Sequence, residues 1–277
     1  MCGFIGFTGI IDHREDVIRK MAERIIHRGP NSGGFHYSGE NDNDSVTLGF
    51  RRLSIIDLSD GSQPMYNEDG SVVIVFNGEI YNFMDLRDEL IAKGHIFRTH
   101  CDTEVIIHGY EEWGKKIAEK LRGMFAFVIW DKKTNVLYGA RDPFGIKPFY
   151  YTKVKSGLVF GSEIKSFLEH PDFKPEVNEN ALRPYLTFQY SSLEETFFKG
   201  VFKLPPAHYF TYSAGKMEKT RYFDFDFTKK TSLSYDECAD MIDKRVPESV
   251  AAHRISDVQV GSFLSGGVDA SYITAVL

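Results

Sequence analysis

Cysteine is scarce in this 277-residue chain: three residues, Cys2, Cys101 and Cys238, stand far apart. They form no C-x-x-C pair and no even-numbered framework, which argues against a disulfide scaffold and for a reducing, cytoplasmic compartment. Excess positive charge is also missing, with 33 Lys+Arg against 39 Asp+Glu and a net charge of -6. No Lys/Arg stripe supplies the footprint of a nucleic-acid binder, so none is expected as a partner. No apolar run approaches the ~18 residues of a membrane span, so no membrane association is expected. The opening lacks a basic n-region and a small-residue cleavage site, so no signal peptide is expected. The nine histidines show no H-E-x-x-H or similar ligand spacing, and no dedicated zinc site is expected. What is present is ordinary globular material, 42% hydrophobic and 26% charged with 23 Phe and 14 Tyr, enough for roughly two domains.

Hydrophobic periodicity divides the chain. "FIGFTGI" reads as a buried strand, and "REDVIRKMAERII" has helical spacing at Val17, Ile18, Met21, Ile25 and Ile26, stopped by Gly29-Pro30. "SVTLGFRRLSIID" reads as a strand running into an irregular loop, and "SVVIVFNGE" as a β-branched strand after an Asp69-Gly70 turn. Asn82 is placed to cap "FMDLRDELIAKG", and Asp102 or Thr103 to cap "CDTEVIIHGYEEWG". Four strands follow, "GMFAFVIWD", "NVLYGARD", "KPFYYTK" and "GLVFGSE". A strand-rich block with a few helices is α+β with packed layers. Extended connections then place a boundary near residues 215–230, giving a domain over 2–215, a linker over 216–229 and a second region over 230–277. That region opens with a helix, "LSYDECADMIDKRVPESVAAHRI", bent or split at Pro247. "VQVGSFLSGGVDASYITAVL" then reads as strand, Gly-rich turn and helix, the opening of a doubly wound α/β domain. One strand cannot complete such a domain, so a longer protein is expected.

Several residues carry chemistry. If Met1 is trimmed, Cys2 holds both a thiol and a free α-amine, with ordinary pKa values of about 8.5 and 7.7–8.0. Nucleophile and base then share one residue, and the thiolate suits attack on a carboxamide carbon. Otherwise Cys2 is a small hydrophobe near a chain end. Asn77 and Gly78 offer a side-chain amide and an unshielded N–H to a developing oxyanion. Asn-Gly is also the best short hairpin signal, but a capped helix follows rather than a pairing strand, so an active-site turn is expected. Arg52 can grip a carboxylate in a bidentate contact and Asp102 can take an ammonium; alone, one reads as a surface charge and the other as a helix cap. In "SGGVDAS", residues 265–271, glycines before a helix let backbone N–H groups approach a phosphate. Asp269 can hold Mg²⁺ against a pyrophosphate. The G-K-[ST] ending of a Walker A loop is absent, and a tight turn without ligand is the alternative.

Taken in order, "MCGFIGF", "HRGPN", "RRLSIID", "NGEIYN", "CDTEV", "GMFAFVIWD", "RDPFGIKPFYY" and "GSEIKSF" resemble the class II glutamine amidotransferase domain. "FLSGGVDAS" resembles the pyrophosphate loop of ATP-pyrophosphatase synthetases. Together, across nearly the whole chain, they resemble the glutamine-hydrolysing asparagine synthase family. The resemblance implies an N-terminal-nucleophile hydrolase fold, a four-layer αββα sandwich, followed by the truncated start of an α/β synthetase domain. It implies Cys2 as nucleophile and base, with Asn77 and Gly78 at the oxyanion hole. Arg52 would hold the glutamine carboxylate, with Leu53, Ser54, Ile55 and Ile56 along the side chain. Glu79 and Asp102 would hold the amino group, and Arg28 in "HRGP" belongs to a region linked to ammonia transfer. Ser265, Gly266, Gly267, Asp269 and Ser271 would cradle ATP pyrophosphate, with Phe263 and Leu264 near the nucleotide and Mg²⁺ at Asp269.

The implied reaction converts ATP, L-aspartate and L-glutamine to L-asparagine, L-glutamate, AMP and pyrophosphate, with this piece supplying only the glutaminase half. The glutaminase domain needs no cofactor; ATP and Mg²⁺ belong to the whole synthetase, and a homodimer is expected. Two positions depart from the family pattern. Ala270 stands where Ser is common and removes one hydroxyl. Phe50 stands two residues before Arg52, where His is common. A synthetase acting on another carboxylate and a degenerate, non-catalytic domain remain open as alternatives. Glutamate synthase, glucosamine-6-phosphate synthase and phosphoribosyl amidotransferase share the first domain type, but the "SGGVDAS" loop argues against them.

Overall fold

The structure is a computed structural model describing residues 1–39, 45–54 and 61–277. Ile55 and Ile56 lie outside the described residues. The chain divides into two compact units, one running through Asp224 and one over Phe225–Leu277.

In chain order the first unit contains β1 (Gly3–Thr8), α1 (Arg14–Arg24), β2 (Ser32–Ser38), β3 (Val46–Arg52), β4 (Met65–Tyr66), β5 (Val72–Ile80), α2 (Phe83–Ala92), α3 (Asp102–Trp113) and α4 (Ile117–Lys120). It continues with β6 (Gly123–Asp131), β7 (Val136–Arg141), β8 (Tyr150–Val154), β9 (Gly157–Gly161), α5 (Glu179–Phe188), β10 (Val201–Lys203), β11 (His208–Ser213) and β12 (Lys216–Arg221). These strands form two six-stranded sheets, ordered β10-β8-β9-β1-β3-β2 and β12-β11-β7-β6-β5-β4. Every neighbouring pair is antiparallel.

Side-chain alternation makes the layers. Phe4, Leu48, Phe50 and Phe160 of the first sheet pack against Val73, Val75, Val128 and Phe210 of the second. The outer face of the first sheet buries Ile5, Phe7 and Val159 against Ile18, Met21 and Ile25 at α1. The outer face of the second buries Ile74, Phe76 and Phe127 against Leu86, Leu90, Val105 and Ile106 of α2 and α3. The result is the expected αββα sandwich. Both faces of each sheet are covered, which explains strands such as β1 and β6 that are apolar throughout rather than alternating. Phe50 is fully buried between the sheets.

Three local expectations change. α1 ends at Arg24, before Gly29. A Cβ on Gly29 would lie 2.2 Å from the Arg51 carbonyl carbon, so Gly29 permits close backbone approach rather than stopping the helix. Asn82 occupies the N-cap position of α2 without a side-chain cap bond. Its Nδ2 donates to the Lys120 carbonyl at 2.9 Å and its Oδ1 accepts from the Arg122 N–H at 2.9 Å. The expected linker is a strand over its first part, because β12 pairs with β11 from Ser213↔Lys216 to His208↔Arg221.

The second unit holds α6 (Tyr235–His253) and α7 (Val268–Val276). A capping box formed by Ser234 and Glu237 starts α6, which continues through Pro247 as one helix rather than splitting. The Tyr272 hydroxyl donates to Asp243 Oδ1 at 2.7 Å, tying α7 to α6. The strand expected over 258–264 is not formed. Among the described residues no strand pairs with it, and a strand's backbone groups need a ladder. Among the described residues no helix is long and apolar enough to cross a membrane.

Candidate active site

Strand parity gathers the site. Phe4 of β1 faces the inter-sheet core, so Cys2, two residues earlier, faces it too and packs on that cluster. On β3, Leu48 and Phe50 are followed on the same face by Arg52; on β5, Val73 and Val75 are followed by Asn77 and Glu79. The pairs Phe4↔Phe50 and Gly3↔Arg51 carry Cys2 level with Arg52. One end of the inter-sheet layer thus changes from hydrocarbon to thiol, guanidinium, amide and carboxylate.

Cys2 is fixed from both sides. Its Sγ lies 3.4 Å from the Leu53 carbonyl oxygen and accepts the Leu53 N–H at 3.4 Å. Its carbonyl accepts Arg28 Nε at 2.9 Å, and Arg28 Nη1 pairs with Glu163 Oε1 at 3.0 Å. Asn31 Oδ1 accepts the Ser54 N–H at 3.1 Å, pinning the segment after β3. Burial pushes the thiol pKa up, while the Leu53 amide, the terminal amine and Arg52 pull the other way. Burial pulls the terminal amine down, assisted by Arg28 and Lys147. Both shifts favour the neutral forms, thiol and free amine, and that is the pairing a proton transfer needs. The amine belongs to Met1 here; removing Met1 would put it on Cys2.

Asn77 and Gly78 are not a turn. They lie inside β5, opposite Ala126 and Phe125 of β6. A Cβ on Gly78 would meet the Met124 carbonyl at 2.3 Å and Phe125 Cα at 2.8 Å, so glycine is required by contact. The Phe125 N–H and carbonyl are both turned to Asp142, away from β5. The Gly78–Phe125 pair is therefore a non-hydrogen-bonded one, and the Gly78 amide points away from β6. The amides on either side of it in that row are occupied: Phe76 donates to Gln63 Oε1 at 2.6 Å and Ile80 to Asp102 Oδ2 at 2.9 Å. Asn77 is buried, and its Nδ2 has no hydrogen-bond partner among the described residues. Two donors thus stand ready for an acceptor.

Asp102 opens α3, with Cys101 at the N-cap position. Burial raises its pKa to about 7 despite the amides that hold it. Burial first, then the Asp102 charge, raise Glu79 to about 8, with Lys147 and the terminal amine opposing. The two carboxyls cannot comfortably both ionise, so the pair retains a proton near neutrality. Such a pair is a receptor for a cation that takes the proton's place.

A family model described as a glutamine amidotransferase domain matches residues 1–223. The chain belongs to the glutamine amidotransferase family. A second family model, described as asparagine synthase, matches residues 241–277. Asparagine synthetase [glutamine-hydrolyzing] 1 of Bacillus subtilis (strain 168) is 43% identical over 282 residues, covering 100% of this chain and 44% of that protein. Asparagine synthetase [glutamine-hydrolyzing] 3 of the same organism is 39% identical over 289 residues, covering 100% and 45%. The chain therefore spans less than half the length of these relatives. The glutamine phosphoribosylpyrophosphate amidotransferase structure from B. subtilis shares the fold at 16% identity and a TM-score of 0.59, covering 99% of this chain and 63% of that one. The structure of the allosteric regulatory enzyme of purine biosynthesis does so at 18% identity and a TM-score of 0.60, covering 80% and 49%.

Within this glutamine amidotransferase domain, sequence reasoning gave no role to Lys147. It is buried, and Glu79 and Cys2 are among the charges acting on it. The signal was in "RDPFGIK", where a charge pair flanks a Pro-Gly loop between strands. In the second unit, Gly266 adopts a φ of +83° and Gly267 caps α7 with no side-chain cap bond. Asp269 lies in the first turn, and the Ser271 N–H bonds the Gly267 carbonyl at 3.0 Å. Phe263 and Leu264 are exposed.

Proposed function

We propose that this chain hydrolyses L-glutamine at Cys2, as the glutaminase half of a cytoplasmic glutamine-dependent asparagine synthase. The observation that carries the reading is the pair of unoccupied donors, Asn77 Nδ2 and the Gly78 N–H, at the layer end that holds the Cys2 thiol. With Met1 removed, the α-amine takes the thiol proton as sulfur bonds to the carboxamide carbon, and the carbonyl oxygen becomes an oxyanion held by those donors. The ammonium then protonates the leaving nitrogen, and ammonia departs. Water cleaves the thioester to glutamate with the same amine as base. Arg52 binds the α-carboxylate, and Glu79 with Asp102 binds the α-ammonium.

In the whole synthetase, ATP activates aspartate for amidation by this ammonia. Ser265, Gly266, Gly267, Asp269 and Ser271 would hold the ATP pyrophosphate, with Phe263 and Leu264 beside the nucleotide and Asp269 toward Mg²⁺. The uncapped start of α7 and the left-handed Gly266 fit an anion there. Ala270 offers no hydroxyl. A homodimer is part of this reading.

The test is ammonia release from glutamine by protein whose first residue is Cys2, verified by intact mass. Cys2→Ala should abolish release while the thermal melt is unchanged. Undiminished release would sink the proposal.

A further inference from the structure

The loop after β7 is built to present Lys147. The Asp142 carboxylate is fully buried and accepts four backbone N–H groups, those of Phe125, Phe144, Ile146 and Lys147, at 2.9–3.2 Å. Arg141 clamps the same loop from its other side. Its Nε donates to the Lys147 carbonyl at 2.7 Å, its Nη2 to the Gly145 carbonyl at 2.6 Å and its Nη1 to the Leu204 carbonyl at 2.6 Å. Two charged side chains are thus spent on the backbone of residues 142–147. What the loop delivers is an ammonium with only 5% of the residue exposed.

That ammonium has no carboxylate within ion-pair distance among the described residues. The hydrogen-bond partner of Nζ is Met1 Sδ at 3.4 Å. A buried lysine normally requires a paired anion, and the usual outcome of leaving it without one is loss of stability. Retaining it therefore calls for a task at the place where it points, which is the amino terminus.

The charges around that terminus come from five elements. They are Cys2 before β1, Arg28 after α1, Arg52 on β3, Glu79 on β5 and Asp142 with Lys147 after β7. Arg28 is already neutralised by Glu163 at 3.0 Å. Glu79 tends to hold a proton because it is buried beside Asp102. Arg52 acts on the thiol, and Lys147 is left as the cation that acts on the amine without a carboxylate within ion-pair distance among the described residues.

We propose that Lys147 is a positioning residue for the nucleophile: its clamped ammonium keeps the neighbouring α-amine in the base form and steadies negative charge on the Cys2 sulfur. Lys147 transfers no proton and touches no reacting bond. It acts through the amine and the thiol. The proposal rests on the glutaminase reading for its consequence in turnover, but its effect on the thiol stands without glutamine. A unit charge several ångströms away, at an effective dielectric near 20, is worth roughly a tenfold change in an ionisation equilibrium or more.

The test uses protein with Cys2 as its first residue, prepared by cleavage of an amino-terminal tag. Lys147→Met, Lys147→Gln and Lys147→Arg are compared with the parent by iodoacetamide alkylation of Cys2 and by glutamine hydrolysis, each from pH 5 to 9. Melting curves select variants that fold. Lys147→Met and Lys147→Gln should move the acid limb of both profiles up by about one pH unit, giving roughly tenfold slower alkylation at pH 6. Lys147→Arg should restore most of that loss. Unmoved profiles in either neutral variant would overturn the role, as would Lys147→Arg behaving like Lys147→Met. Shifted alkylation in a protein that never releases ammonia would remove the glutaminase reading and keep this one.

Discussion

Asp102, in the first turn of α3, accepts the Ile80 N–H at 2.9 Å and so stands beside the end of β5 that carries Glu79, whose pKa its charge raises. The pair carries a proton at neutral pH, because burial lifts Glu79 to about 8 and Asp102 to about 7. Binding the ammonium end of glutamine favours the ionised pair and drives that proton off. Glutamine binding between about pH 6.5 and 8 should therefore release protons. Calorimetry on Cys2→Ala in buffers of different ionisation enthalpy measures this. Glu79→Gln should weaken binding and abolish the buffer dependence; binding with no proton release in the parent would refute the shared-proton pair.

On the proposed reading, Asn77→Ala removes one oxyanion donor and leaves the carboxylate and ammonium contacts of glutamine in place. The expected result is a fall in kcat of about 10²–10³-fold with KM little changed. Steady-state kinetics on protein of verified mass decides it. A loss confined to KM would place Asn77 in substrate binding instead.

Gly78→Ala puts a methyl 2.3 Å from the Met124 carbonyl. The Phe76 ring at 2.6 Å can turn, but the Met124 carbonyl and Phe125 Cα are backbone and cannot swing aside, so β5 and β6 must part. A cost of about 1–3 kcal/mol is expected in urea unfolding, together with lost turnover. A variant of parental stability would show that the strands have room there.

Asp142→Ala leaves three loop amides and the Phe125 amide of β6 without their acceptor, and each buried unpaired donor costs about 1–3 kcal/mol. A total loss of about 3 kcal/mol or more is expected. Asp142→Asn keeps one acceptor oxygen and should cost less. Equilibrium unfolding of the two variants compares them.

His108 gives a second pH signature, away from the site. Burial alone would lower its pKa, but the Glu104 carboxylate 3.7 Å from Nε2 and a hydrogen bond between Nδ1 and Glu111 reverse this and raise it to about 9 from 6.5. The Glu111 Oε2 contact is 2.9 Å. The stability it contributes is complete below about pH 6.5 and is lost as pH rises through about 9. Melting temperature should fall over that window, and His108→Gln should flatten the fall.

The layers were legible because period-2 and period-3.6 patterns are strong when both faces of a sheet are covered. Cys2, Arg52 and Asp102 draw attention in the sequence because a second-position cysteine and short charge-bearing motifs stand out, and strand pairing sets the first two level with each other. The Asn77–Gly78 conformation was misread. The dipeptide has the composition of a turn, and only long-range pairing with β6 holds it extended. Asn82 likewise has capping chemistry, but tertiary contacts to Lys120 and Arg122 claimed its amide. Lys147 was invisible because its meaning depends on a fold that carries residue 147 to residue 1. The missing strand at 258–264 is the converse case: its pattern is local, but its partners are not among the described residues.

β1 is flanked by β3 and β9, and the Phe4 N–H donates to Ser162 Oγ across 158 positions of chain. The strand behind Cys2 is therefore locked by segments more than forty and more than a hundred and fifty positions away, while Met1 ahead of it stays 56% exposed. An aminopeptidase can reach Met1 in the folded protein, so unmasking the Cys2 amine does not require β1 to leave its sheet.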